Sequence, residues 1–310
     1  MNRPGVSDPA GRGGQSSRAQ PVERRVPANG ITLAIFEWGV EFKGQHDPIV
    51  LAHATGFHAR CWDRLVPRLG HRYVVAVDQR GHGRSDKVFP VHWADFGRDL
   101  ADLFRQLDLH DIVGVGHSMG GHAMTEACAA EPERFRRLVL IDPVIASPED
   151  YAAGNWLREQ MPDMQHPTAR RRNHWKSADE MFERFKDRPP FSAFDPGVLR
   201  DYCDYGLLPD PQGDGFVLAC PPQFEADVYM ASRGNAAVYD SIQAVEVPVL
   251  IVRVMEPPPD RGLMDFRYSP TFPGLVAHFK RGREVHLKEH THFLPLEDPA
   301  LVAQYILADE

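Results

Sequence analysis

A serine set among glycines at the junction of a strand and a helix constrains this chain more than any other feature. The apolar run 112–115 leads into Gly116-His117-Ser118-Met119-Gly120-Gly121, and residues 119–130 continue as a run of small and helix-favouring side chains. A chain turns that sharply only where side chains are missing on both sides of the turn, which is what the glycines supply. A serine in such a turn is held in a strained backbone conformation that presents its hydroxyl at the top of a sheet. The helix that follows adds its dipole and its free amides beside that hydroxyl. Ser118 is therefore the candidate nucleophile. A serine hydroxyl attacks poorly until a base takes its proton, and an imidazole, with an ordinary pKa of about 6.5, suits that task. In acyl transfer the substrate's carbonyl oxygen gains negative charge, and losing one fixed donor there costs about 3 kcal/mol. The Met119 amide is the expected first donor.

The hydrophobic pattern around this turn predicts strands over 31–37, 49–52, 73–77, 112–115 and 138–141, with helices over 96–107 and 119–130. The later strands are short and almost continuously apolar, as strands buried on both faces are. Strand-helix alternation of this kind predicts an α/β fold with a doubly wound, mostly parallel sheet. Over 146–235 the pattern changes to helical fragments broken by proline, which reads as an inserted helical cap. Alternation resumes with a strand at 249–252, a helix near 274–279, a strand near 284–287 and a last helix over 298–308. The organisation expected is a disordered tail over 1–26, a first part of the core over 27–145, the cap over 146–235 and a second part of the core over 236–310.

Charge and cysteine usage narrow the partners. A net charge of -8 comes without a basic stripe, which argues against nucleic acid as a partner. Cys61, Cys128, Cys203 and Cys220 form no Cys-x-x-Cys pair and read as reduced thiols. Apolar runs fall short of the roughly 18–20 residues of a membrane span, and the Gly-, Pro-, Ser- and Arg-rich opening lacks the apolar centre of a secretory signal. The expectation is a cytoplasmic protein with a small-molecule substrate, no membrane or nucleic-acid partner, no metal and no cofactor.

Three further segments make a resemblance specific. His53-Ala54-Thr55-Gly56-Phe57 follows a predicted strand, Asp78-Gln79-Arg80-Gly81-His82-Gly83-Arg84-Ser85-Asp86 follows the next, and Thr291-His292-Phe293-Leu294-Pro295-Leu296-Glu297-Asp298-Pro299 precedes the last helix. With the serine turn, and in this order, they resemble the α/β-hydrolase superfamily over roughly residues 30–307. The resemblance implies His292 as the general base, since it follows both the serine and the cap in the order serine, acid, histidine. It implies the Thr55 amide as the second oxyanion donor, although Ala54 stands where the family carries glycine. His53 reads as a structural hydrogen-bonding residue. His286, His290 and His292 form no helical His-Glu-x-x-His, and a strand end followed by a loop scatters such side chains, so a metal site is disfavoured.

The acid departs from the usual pattern. The strand at 249–252 runs into Arg253-Val254-Met255-Glu256-Pro257-Pro258-Pro259-Asp260, which lacks the family's Gly-x-x-Asp turn. Some members carry the acid at the end of the sixth strand instead, and Asp142 stands there, 24 residues after Ser118. The reading takes Asp142 as the orienting acid, with Glu256, Asp260 and Asp265 as the alternatives. A serine in place of aspartate at the turn disfavours haloalkane and epoxide chemistry. Cleavage of a carboxylic ester through an acyl-enzyme is the preferred expectation, with a carbon-carbon bond hydrolase or a non-catalytic ligand receptor as alternatives. The cap aromatics Trp156, Trp175, Phe182 and Phe185 read chiefly as the cap's own core, and Arg170-Arg171-Arg172 as a solvated helix face.

Overall fold

The computed structural model describes residues 20–154, 165–262 and 264–308. In chain order its strands are β1 (Val22–Ala28), β2 (Ile31–Trp38), β3 (Ile49–Ala52), β4 (Val74–Asp78), β5 (Ile112–His117), β6 (Phe135–Ile141), β7 (His174–Trp175), β8 (Leu207–Pro209), β9 (Phe216–Leu218), β10 (Val249–Val254) and β11 (Gly282–Leu287). Eight of them form one sheet in the order β1-β2-β4-β3-β5-β6-β10-β11. β1, β2 and β4 pair antiparallel, and every other neighbouring pair is parallel. β3, β4, β5 and β10 are buried at every residue, as their continuous hydrophobicity requires.

The sheet is covered on both faces. On one side pack α1 (Trp93–Gln106), α2 (Met119–Ala130) and the helix Val238–Ala244, through residues such as Leu100, Phe104, Met124 and Ile242. On the other lie Trp62, Leu65 and Leu69 with the helix Pro299–Leu307, which inserts Val302 and Ile306. The strand order reverses direction between β3 and β5, so the connections leaving them part and open a crevice at their C-terminal ends. Ser118 and the segment 53–57 leave the sheet at that crevice.

The insertion is mixed in structure. It contributes the helices Ala178–Phe185, Pro196–Tyr205 and Pro222–Met230, and also a three-stranded antiparallel sheet in the order β7-β9-β8. Trp175, Met181, Phe194, Val198 and Tyr202 form its core, joined by Phe293 and Leu296 from beside the candidate base. Trp175, Phe182 and Phe185 are part of that core, while Trp156 lies outside the described residues. The N-terminal tail expected to reach Val26 overlaps β1, which starts at Val22 and pairs along its whole length with β2. The helix expected near 274–279 is a single 3-10 turn, Leu275–His278. No helix among the described residues is long and apolar enough to cross a membrane.

Candidate active site

The turn after β5 has the geometry its glycines allow. Ser118 has φ 58° and ψ −119°, a conformation that costs a non-glycine residue about 1–3 kcal/mol unless its surroundings hold it. They do. The Ser118 N–H donates to the Ile141 carbonyl at 3.0 Å, and the Ser118 carbonyl accepts from the N–H groups of Gly121 at 3.0 Å and Val144 at 3.1 Å. A Cβ added at Gly116 would lie 2.3 Å from the Gly120 carbonyl oxygen, so the strand and helix approach more closely here than any side chain permits.

Ser118 Oγ lies 2.9 Å from His292 Nε2, and His292 Nδ1 lies 2.6 Å from Asp142 Oδ2. All three side chains are buried or nearly so, with Asp142 fully enclosed. Asp142 sits at φ 45° immediately after β6, with its N–H donating to the Val252 carbonyl at 2.8 Å. Its second oxygen, Oδ1, accepts from Ser269 Oγ at 2.5 Å and from the Val254 N–H at 3.4 Å, with Thr271 Oγ1 at 3.1 Å. One carboxylate oxygen is thus left for the imidazole and the other is held by donors, which fixes the carboxylate's orientation. Sequence reading missed Ser269 and Thr271. Their place in a long loop carries no periodic or motif signal, and only folding brings them against Asp142.

The alternative acids are turned elsewhere. Glu256 is exposed and pairs with Arg253, whose Nη1 donates to it at 2.8 Å. Asp265 pairs with Arg267 at 2.7 Å, which holds its carboxyl down at about 2. Asp260 is exposed. His286 faces Arg253 Nη2 at 3.1 Å and the Val254 carbonyl at 3.1 Å, away from the hydroxyl that His292 faces.

A second histidine supports the first. Burial, followed by the neighbouring His292, holds the His117 imidazole well below the ordinary histidine range, so it is neutral. Its Nε2 lies 2.7 Å from the His292 carbonyl oxygen, which makes Nε2 the protonated nitrogen and ties β5 to the loop carrying His292. The His292 N–H in turn donates to the Arg267 carbonyl at 2.7 Å.

The loop after β3 is clamped at its base. His53 Nε2 accepts from the Gln79 N–H at 3.0 Å, which leaves Nδ1 to donate to the Ala54 carbonyl at 2.7 Å. Asp78 accepts from the Ala59 N–H at 2.7 Å and from the Arg84 N–H at 2.7 Å, joining this loop to the turn after β4. Thr55 is buried, and its Oγ1 lies 3.5 Å from Met119 Sδ, so the two candidate oxyanion residues are in contact. Met119 opens α2, where an N–H has no partner within the helix. Beside this loop a cavity is lined by Gly56, Phe57, Arg171, Tyr202 and Cys220, among others. The arginine run is split by the fold: Arg171 lines the cavity, whereas Arg172 lies over the Trp175 ring at 4.2 Å and pairs with Glu180 at 2.6 Å.

Comparison with known proteins agrees with this architecture. The chain is 36% identical over 123 residues to 2-(acetamidomethylene)succinate hydrolase of Mesorhizobium japonicum, covering 39% of this chain and 42% of that protein. It is 41% identical over 121 residues to a non-heme chloroperoxidase of Streptomyces lividans, covering 38% and 43%. These matches span little more than two-fifths of the curated relatives. The crystal structure of E-2-(acetamidomethylene)succinate hydrolase superposes with a TM-score of 0.69 at 22% identity, over 92% of this chain and 97% of the other, a likeness of fold. The model of the alpha/beta hydrolase family matches residues 49–305. With that match running from β3 into the last helix, the chain belongs to the alpha/beta hydrolase family.

Proposed function

We propose that the protein is a serine hydrolase that cleaves a carboxylic ester of a small, partly apolar substrate through an acyl-enzyme. The observation that carries the reading is the unbroken hydrogen-bonded series from Ser118 Oγ through His292 to Asp142. Ser118 Oγ attacks the ester carbonyl carbon as its proton moves to His292 Nε2. Asp142 Oδ2 stabilises the resulting imidazolium through Nδ1 and keeps the ring oriented. The Met119 and Thr55 amides receive the charge that develops on the carbonyl oxygen. His292 then gives its proton to the leaving alkoxide, and a water activated by the same nitrogen hydrolyses the acyl-Ser118 ester. Phe57, Phe194 and Phe293, with ring centroids 5.3–6.2 Å apart, supply apolar surface beside the base.

Intact-mass analysis after treatment with a fluorophosphonate tests the reading without a choice of substrate. The expected result is one adduct per chain, lost in Ser118→Ala and in His292→Ala, with multiple turnover of simple esters by the wild type. A folded wild-type protein that takes no label, or one that labels while Ser118→Ala labels equally, overturns it.

A further inference from the structure

The cavity beside the oxyanion loop contains an arginine whose charge is already spoken for. Glu225, on the helix Pro222–Met230, is 5% exposed and pairs with Arg171 Nη1. Arg171 Nη2 donates to Tyr202 Oη at 3.0 Å. The Glu225 carboxylate lies so close to the segment 53–57 that a Cβ on Gly56 would meet its Oε1 at 2.7 Å. Gly56 adjoins Thr55, and the Phe57 ring meets that of Phe293, the residue after His292, edge to face at 6.2 Å. The cavity thus borders the loop that carries Thr55, through Gly56 and Phe57.

Apart from Arg171, the titratable side chains that line the cavity, His58, Tyr202 and Cys220, are uncharged at neutral pH, with the Lys87 ammonium acting on Cys220 from outside the lining. Burial pushes Cys220 and Tyr229 up and takes Tyr202 to about 12, while it lowers His58 to about 3. Arg171 and Glu225 therefore meet as a neutral pair. A lone arginine here would select a carboxylate. With Glu225 in place, a substrate carboxylate would be a second buried negative charge facing one positive charge, and its lost hydration would go uncompensated. A guanidinium carries five N–H donors, so Arg171 keeps donors for an uncharged oxygen acceptor.

We infer that the Arg171–Glu225 pair is a specificity-determining site that binds an uncharged acceptor of the substrate, such as an amide, ketone or second ester carbonyl, and rejects a carboxylate there. The inference deepens the ester-hydrolase reading and rests on it for the identity of the scissile group. Its test is a binding measurement on Ser118→Ala protein, which needs no chemistry and is decided separately from fluorophosphonate labelling of the wild type. The probes are the benzyl monoesters of succinic and glutaric acid and the same esters with the free carboxylate converted to a primary amide, titrated by calorimetry.

Ser118→Ala protein should bind the better amide at least about tenfold more tightly than its acid, and adding Glu225→Gln should move that ratio at least about tenfold toward the acid, since the arginine is then unmasked. Acids bound as tightly as amides, neither probe bound, or a ratio unmoved in a folded Glu225→Gln protein would each overturn the inference. Should Glu225→Gln not fold, the amide-to-acid ratio in Ser118→Ala alone decides. Wild-type protein that takes no fluorophosphonate, while the titrations come out as expected, removes the hydrolase reading and leaves the binding preference standing.

Discussion

Asp142 is held by donors on one oxygen and faces His292 with the other, and that asymmetry makes its substitution informative. In Asp142→Asn the side chain must place its carbonyl oxygen toward the fixed Val254 N–H, which leaves its amide group facing His292 Nδ1. An amide donor there requires Nδ1 to be unprotonated, so the proton sits on Nε2 and the ring cannot accept from Ser118 Oγ. Ester turnover by Asp142→Asn should fall by roughly 10³–10⁴-fold in kcat, whereas Glu256→Gln, at an exposed side chain, should stay within about twofold. Comparable losses in both, measured by steady-state kinetics on folded protein, would move the acid out of Asp142. The sequence could nominate Asp142 only beside Glu256, Asp260 and Asp265, because a carboxylate at a strand end serves equally well as a loop cap. What separates them is the environment: the Val254 N–H and the Ser269 hydroxyl donate to Asp142, with Thr271 Oγ1 beside it at 3.1 Å, while Glu256 and Asp265 are taken up by Arg253 and Arg267.

The contact between α2 and β3 sets where Ser118 sits, because the serine is the hinge between β5 and that helix. A Cβ at Gly120 would lie 2.3 Å from the Ala52 carbonyl oxygen, a backbone atom that cannot rotate away. Gly120→Ala should therefore displace α2 from β3 and lower unfolding stability by about 1–3 kcal/mol, with a loss of fluorophosphonate labelling rate larger than that stability change alone implies. Chemical denaturation gives the first quantity and timed labelling the second; full stability with full labelling would mean that α2 does not need this close approach. Elements whose physics is local could be read in advance on this scale. The glycines around Ser118 dictate the turn, and the apolar runs dictate β3, β4, β5, β6 and β10 to within a few residues. The cap's sheet could not be read, since β7, β8 and β9 have only two or three residues each, too few to show alternation. The arginine run misled for a related reason: charge patterning assigns Arg170-Arg171-Arg172 to solvent, and only the approach of Glu225 from a helix some fifty residues later draws Arg171 inward.

At the scale of the whole molecule, His53, His58, His82, His117 and His122 are deeply buried without charge, and this shapes how the fold responds to acid. Burial lowers His58 to about 3, His82 to about 4 and His122 to about 4, and holds His53 and His117 well below the ordinary value. In the unfolded chain each titrates near its ordinary value of about 6.5, so below that pH the unfolded state binds protons that the folded state refuses. Each such proton makes unfolding easier by about 1.4 kcal/mol per pH unit, and the loss grows until the folded-state pKa is reached. Carboxylates act the other way. Burial raises Glu126 to about 7, and it also raises Asp78, Asp99 and Glu225, so between those values and the ordinary carboxylate range the folded state binds the extra protons. The lowered histidines outnumber the raised carboxylates, so unfolding in mildly acidic solution takes up protons. Thermal unfolding followed by circular dichroism should therefore show Tm highest near neutral pH and falling progressively between pH 6.5 and 5, before the carboxylate ion pairs are protonated. His122→Gln tests the sign directly. His122 Nδ1 lies 3.1 Å from the Val144 carbonyl and Nε2 lies 3.0 Å from Asn235 Nδ2, so glutamine can restore part of this bonding without a group that titrates. That variant should lose stability at pH 7.5 and lose less of it on going to pH 5 than the wild type does. A Tm that is flat or rises from pH 7 to pH 5, or a His122→Gln protein as acid-sensitive as its parent, would mean that the buried imidazoles do not govern the acid limb.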